Sequence, residues 1–298
     1  GKGVTAPGNN LFNHCPQLSS ITLPETLTTI GDYAFASCVG LSSVVIPSRV
    51  ISIRVTAFEN CNTMSSLTFA GTNVTSIGGA AFMSCSRLTS VNLPDGVRVI
   101  PSNLFGNCCN LSSVRIGRNV TSIGDYASGA CGLTAIELPE TLLSVGEQAF
   151  AYNRFTSVRI PNRVTTIGAL AFYHCWQLAS ATIGESVTVI GDNAFDYCGW
   201  LTDVYFKGSA PTLGKNVFFC SNLNVFYSSE TGAWGSSFGN RTTVLWNPSI
   251  RLSRFSPATA SCARCASLIL AAIWPLLTCR VNASSETRNC RAMPRIDA

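Results

Sequence analysis

LSSITLPETLTTIGDYAFASC (residues 18–38) reads as one turn of a coil. Ile21 and Leu23 alternate with Thr22, the period-two signature of a half-buried strand. Pro24 has no N–H to give to a ladder and marks the strand's end. Leu27 and Ile30 form a second apolar pair, a short strand or extended turn. Gly31 then points to a positive φ or a close backbone approach at a corner. Asp32 to Cys38 reads as one helical turn, with Ala34, Phe35 and Cys38 facing inward and Asp32 placed to cap it.

The chain repeats this stretch eight times. The copies start at Leu18, Leu41, Met64, Leu88, Leu111, Leu133, Phe155 and Leu178, and run 23, 23, 24, 23, 22, 22, 23 and 23 residues. A fixed period of this size means a solenoid. The fold class expected is an α/β solenoid, mainly β, with one main parallel strand, a short second strand and a helical turn per repeat. About ten rungs are expected, counting a partial one at each end. Gly8 to Gln17 matches the second half of a repeat, so the sequence is expected to begin inside a coil, as a fragment would.

The stretches 18–38, LPETLLSVGEQAFAYN (138–153) and VRIPNRVTTIGALAFYHC (158–175) resemble the BspA-type leucine-rich repeat family of bacterial and protist surface proteins. The likeness covers about residues 8–248. In place of the Asn of ordinary leucine-rich repeats, Pro24, Pro47, Pro94, Pro139 and Pro161 follow the strand, so no Asn ladder is expected. The segment 223–248 resembles a closing segment of bacterial members, in which Trp234, Phe238 and Trp246 would cover the last apolar rung. The resemblance implies a cell-surface or extracellular location and a part in adhesion or host interaction.

The expected organisation is a solenoid over 1–222, a cap over 223–248, and a tail over 249–298. Residues 1–248 carry 13 Lys+Arg and 13 Asp+Glu, so the solenoid is neutral. The tail has seven Arg against Glu286 and Asp297, which supplies the whole net charge of +5. There the period stops and Cys appears at new spacings. The tail is expected to be disordered or non-native, as a frameshift would leave it. A neutral solenoid lacks the basic face of a nucleic-acid binder. The apolar run 268–277 is too short to span a bilayer.

The repeat accounts for most residues that could carry chemistry. Eight of the 14 Cys share one template position, facing the core, where a free thiol acts as a small hydrophobe. Asn153 fills that position in one coil. His14 and His174 are seven coils apart and form no pair. Cys262 and Cys265 lack a matching second pair for zinc. The Asn73, Asn110, Asn119, Asn240 and Asn282 sequons are those a Ser/Thr-rich repeat produces by chance. No catalytic set, metal site or cofactor site is expected, and the chain is read as a non-enzyme.

Function is expected in the positions the template leaves free. The outward strand column reads Thr22, Val45, Thr68, Asn92, Arg115, Glu137, Arg159, Thr182, Tyr205. Arg118, Glu140 and Arg163 follow the strand in the same coils. One reading is that these charges pair across rungs and keep the face soluble. The other is a protein-binding patch on a concave strand face, made of Asn92, Arg115, Arg118, Glu137, Glu140, Arg159, Arg163 and Tyr205. The expected partner is a protein or cell-surface ligand, and the chain is expected to be a monomer. The alternative is a structural spacer or targeting arm of a larger protein.

Overall fold

In the computed structural model, residues 3, 5–6, 8–219, 223–228 and 234–246 are described. The expected tail, 249–298, lies outside them, as does the side chain of Trp246. The chain winds into a mainly β parallel solenoid of about nine turns. Nine two-residue strands, from Thr29–Ile30 to Thr212–Leu213, stack along one side. A second column holds the longer strands, such as Ser43–Ile46 on Ser66–Phe69 and Ser157–Arg159 on Ser180–Ile183. Where these columns pair, they do so parallel and in register, template position on template position: Val44 opposes Leu67, and Val91 opposes Val114. Inward residues of each coil merge into one continuous apolar core.

The helical turn expected after each Gly is absent: no helix occurs among the described residues. Overlapping β-turns take its place. Ala34, Ala36 and Cys38 N–H donate to the carbonyls of Gly31, Tyr33 and Phe35, three residues back. Tyr33 (φ 54°) and Ser37 (φ 58°) are left-handed, at the third position of their turns, as in type II turns. The same two positions are left-handed in every complete coil, for example Thr56 and Asn60, or Asn103 and Asn107. A left-handed residue every four breaks any right-handed helix. It also turns alternate N–H groups along the solenoid axis. Tyr33, Phe35 and Ser37 donate to Val55, Ala57 and Glu59 of the next coil at 3.1, 2.8 and 2.7 Å. Stacking, not helix formation, satisfies this backbone.

Two template residues serve these contacts between coils. The recurrent Gly is set by close approach: a Cβ on Gly168 would lie 2.5 Å from the carbonyl carbon of Gly146. The Asp after it caps the next coil rather than its own turn. Asp125 Oδ1 accepts from Glu147 N–H at 2.8 Å, and Asp192 Oδ1 from Lys215 N–H at 2.8 Å.

Inside the turns the Phe rings stack from coil to coil. Phe12, Phe35, Phe58, Phe82 and Phe105 lie 5.0–5.9 Å apart, nearly parallel. The stack breaks at Ser128 and resumes with Phe150, Phe172, Phe195 and Phe218. Phe155, in place of the usual Leu, meets Phe150 and Phe172 edge-on. At the far end Trp234 and Phe238 pack on Phe206, at 5.1 and 5.4 Å. Trp234 Nε1 donates to Gly208 O at 3.3 Å.

The main strand column is not continuous. No main-column strand forms between Ser113–Arg115 and Ser157–Arg159, so the coil that starts at Leu133 has no main-column ladder. Two connectors in this region are one residue short, Cys131-Gly132-Leu133 and Asn153-Arg154-Phe155, yet the strand Ser157–Arg159 forms after the second. The other coils join these positions through two residues, and Leu111 N–H closes a turn on Cys108 O at 2.8 Å. Cys131-Gly132-Leu133 is one residue too short for that turn, and Leu133 N–H is taken instead by Asn153 Oδ1 at 3.0 Å. Pairing also lapses between Ser66–Phe69 and Ser90–Asn92, across the 24-residue coil.

Candidate functional surface

The Cys column is the first place to look for chemistry, and its geometry is structural. Cys38, Cys61, Cys85, Cys108, Cys131, Cys175 and Cys198 are buried free thiols. Each donates its S–H to the carbonyl of the Phe in the preceding coil, at 3.0–3.3 Å. The position therefore needs a donor as well as a small apolar group. Asn153 keeps that donor: its Nδ2 reaches Ser128 O, where the Phe carbonyl lies in other coils, at 2.8 Å. Burial pushes the thiols up, to about 12 at Cys61, Cys108 and Cys175, and well above the ordinary range at Cys85, Cys131 and Cys198. These are not poised nucleophiles.

His174 is sandwiched between Tyr152 and Tyr197, with ring centroids at 5.2 and 4.9 Å, and burial lowers its pKa. His14 is exposed, bonded to Asn13. The described residues hold no cluster of three or more His, Cys, Asp or Glu able to bind a metal, and no helix long and apolar enough to cross a membrane. In the sequons, Asn73, Asn110 and Asn119 each donate Nδ2 to a carbonyl of the preceding coil.

The outward strand column is exposed as its alternation requires. Asn92, Arg115 and Arg159 project from their strands, with Asn92 and Arg115 on adjacent rungs. Arg115 and Arg118 converge on one carboxylate, Asp95, at 3.2 and 3.1 Å. Arg159 pairs with Glu140 across the next rung. The Arg118 backbone N–H, with the Arg115 and Arg118 charges, holds Asp95 below the usual carboxylate range. Glu140 is lowered by its bond from Arg159, then by the charges of Arg159 and Lys207.

One ion-pair group thus precedes the coil that lacks its ladder, and the other joins that coil, through Glu140, to the next. Exposed Glu137 lies on the coil without its ladder, outside any strand. Among the described residues neither Glu137 nor Arg163 joins an ion pair. Tyr205 is in the same column as Arg159, two rungs on, but is half-buried, stacked on Phe226 at 4.9 Å. Burial, then Asp203, pushes its hydroxyl up to about 12. Asp95 and Lys207 are the members the column pattern omits. Asp95 follows its strand as Arg118 and Glu140 follow theirs, and that position was its only sequence signal.

Comparison with known proteins agrees with this geometry. A model of the BspA type leucine rich repeat region matches in six copies over residues 5–132 and 123–234. A crystallised leucine-rich repeat protein from Bacteroides ovatus is 23% identical, with 83% of this chain and 78% of that chain covered and a TM-score of 0.54. This likeness is one of fold. A leucine rich cell surface protein from Faecalibacterium prausnitzii is 23% identical over 75% of this chain and 83% of that one, with a TM-score of 0.47. A leucine rich repeat protein from T. pallidum is 28% identical over 61% and 78%, with a TM-score of 0.44. No curated protein matches the sequence. With most of its length accounted for by these copies, the chain belongs to the BspA-type leucine-rich repeat family.

Proposed function

We propose that the chain is a non-catalytic binding module for a protein or cell-surface ligand, working at the cell surface or outside the cell. Repeats of this family are generally non-catalytic and typical of interaction and surface modules, and a solenoid's repeated face is its usual binding surface. The observation that carries the reading is where two irregularities coincide. The ladder lapses over residues 134–138, and the charged column is densest there, with Arg115, Arg118 and Asp95 on one side and Glu140 and Arg159 on the other. A ligand on this face meets backbone not committed to the main ladder and exposed charges able to re-pair. Exposed ion pairs of this kind are screened by solvent and contribute little to folding, so they can be redirected to a partner at little cost in stability.

A spacer or targeting arm of a larger protein is the second reading. It is favoured by the fact that Arg115, Arg118 and Arg159 already have acidic partners within the chain. The test is to screen the chain against an array of purified extracellular and cell-surface proteins, then remeasure every hit with Arg115→Glu, Glu137→Arg and Arg159→Glu combined. The binding reading expects the affinity to fall by about tenfold or more with the thermal midpoint nearly unchanged. Unaltered binding removes this face from the account, and a blank array favours the spacer.

A further inference from the structure

The turn edge of three successive coils changes character without help from the template. In the column just before each Cys the residues are His14, Ser37, Asn60, Ser84, Asn107 and Ala130, then Tyr152, His174 and Tyr197. All nine have a positive φ, between 52° and 61°. Asn and His accept this conformation more readily than Tyr does. Ser, Asn or Ala satisfies the coil at this position five times, so the run of three rings at 152, 174 and 197 is not a requirement of stacking. Tyr173 joins them, at 5.2 Å from Tyr197. Just past the Cys, Trp176 and Trp200 meet edge to face at 5.4 Å, where other coils place residues such as Asn62, Thr63 and Ser86. Trp200 is 50% exposed. Strained positions that keep bulky residues without a structural need are candidates for function.

We infer that this aromatic tract, Tyr152, Tyr173, His174, Trp176, Tyr197 and Trp200, is a binding site for a neutral carbohydrate chain. Its chemistry fits that class. The Tyr and Trp side chains each join a ring face or edge, which packs against the C–H face of a sugar, to a polar O–H or N–H group of the kind sugars bond to, and His174, covered on both faces by Tyr152 and Tyr197, backs the tract. None of the six is charged at neutral pH, since burial keeps His174 neutral. A nucleic-acid strand, which also stacks on aromatic rings, needs a basic groove beside them, and the solenoid is neutral overall. Size argues against a protein partner. Three rungs at about 4.8 Å each give roughly 14 Å, and a turn edge about five residues wide gives roughly 15 Å. The product is on the order of 200 Å², well short of the about 800 Å² per partner in a stable protein interface. It suits a few sugar units laid along the coil axis. The site is on a different edge from the charged strand column, so it does not depend on the reading above.

The test is native electrophoresis of the whole chain through gels that each contain one soluble neutral polysaccharide: a mixed-linkage β-glucan, a xylan, a galactomannan or glycogen. At least one should retard the chain. Trp176→Ala with Trp200→Ala should weaken that interaction by about tenfold or more, as loss of central aromatic anchors does. Tyr197→Asn, which copies Asn60 and Asn107 of the same column, should weaken it several-fold with an unchanged circular dichroism spectrum, separating loss of the site from loss of the fold. The strand-face charge variant should be retarded like the parent. Retardation by none of the four polysaccharides overturns the proposal, as does a double Trp variant that runs like the parent. If no gel retards the chain but the Trp variant loses a protein found on the array, the tract is a protein contact and the carbohydrate proposal fails.

Discussion

Asn153 shows how much a single residue does when a coil departs from the repeat. It replaces Cys, and a consensus view would restore the thiol. Its amide, however, donates to Ser128 O, as a thiol would, and also accepts from Leu133 N–H, as a thiol would not. The second bond exists because the connector through Gly132 is one residue short. Asn153→Cys should therefore lower stability by about 1–3 kcal/mol, the cost of a buried N–H without an acceptor, measured by denaturant unfolding; a gain in stability would show that the Leu133 bond is dispensable. The seven buried thiols make a second prediction. Their folded-state pKa values are raised, so above about pH 8.5 the unfolded chain loses protons that the folded chain keeps. Stability is complete below that pH and falls as pH rises, by about 1.4 kcal/mol per pH unit for each fully buried thiol. A stability that stays flat between pH 8 and 10 would contradict this. The burial of these thiols was legible in the sequence from their fixed template position. Their role as donors was not, because only the fold shows that a Phe carbonyl of the preceding coil points at each one.

At the scale of the element, the strands and the turns differ in how openly the sequence displays them. Alternation in stretches such as Ser43–Ile46, exposed and buried by turns, names the strand directly. The turn segment misleads, because Ala34, Phe35 and Cys38 have helix-like spacing yet sit on consecutive β-turns. The left-handed residues that prevent a helix are Tyr, Ser, Thr, Asn, Ala and others, so no Gly signals them. The recurrent Asn at these positions, as at Asn60, Asn103 and Asn107, was the available hint. The missing strand near Ile136 was not written in coil length: the copies that start at Leu111 and Leu133 are both 22 residues long, and the first keeps its strand Ser113–Arg115. Hydrogen exchange tests that element. Amides of residues 134–138 should exchange faster than those of Ser113–Arg115 and Ser157–Arg159, since they lack ladder partners. Equal protection across the three segments would mean that a ladder spans this coil after all.

Over the whole molecule, the two sides of the coil bond along the axis differently. The strand columns carry parallel ladders, whereas in the turns before each Cys the axial N–H groups, such as those of Tyr33, Phe35 and Ser37, point toward the next coil and the carbonyls they meet point toward the preceding one. Peptide dipoles therefore add along the turn edge, as they do in a helix. The coil's apolar and backbone groups are thus occupied by its neighbours, which is why template residues say so little about function and the free positions say more. The column from Asn92 to Arg163 was legible as exposed. Its division into two ion-pair groups, one before the coil without a ladder and one joined to it, was not, because that depends on Asp95 and on which coil loses its strand. Where the ligand sits is the most direct question for the account. It is answered by hydrogen-exchange footprinting of the chain in complex with a protein hit from the array. Protection centred on the strand-face segments between Asn92 and Arg163 is the predicted result; protection confined to the turns or to the second-strand column, with that face unchanged, would contradict it.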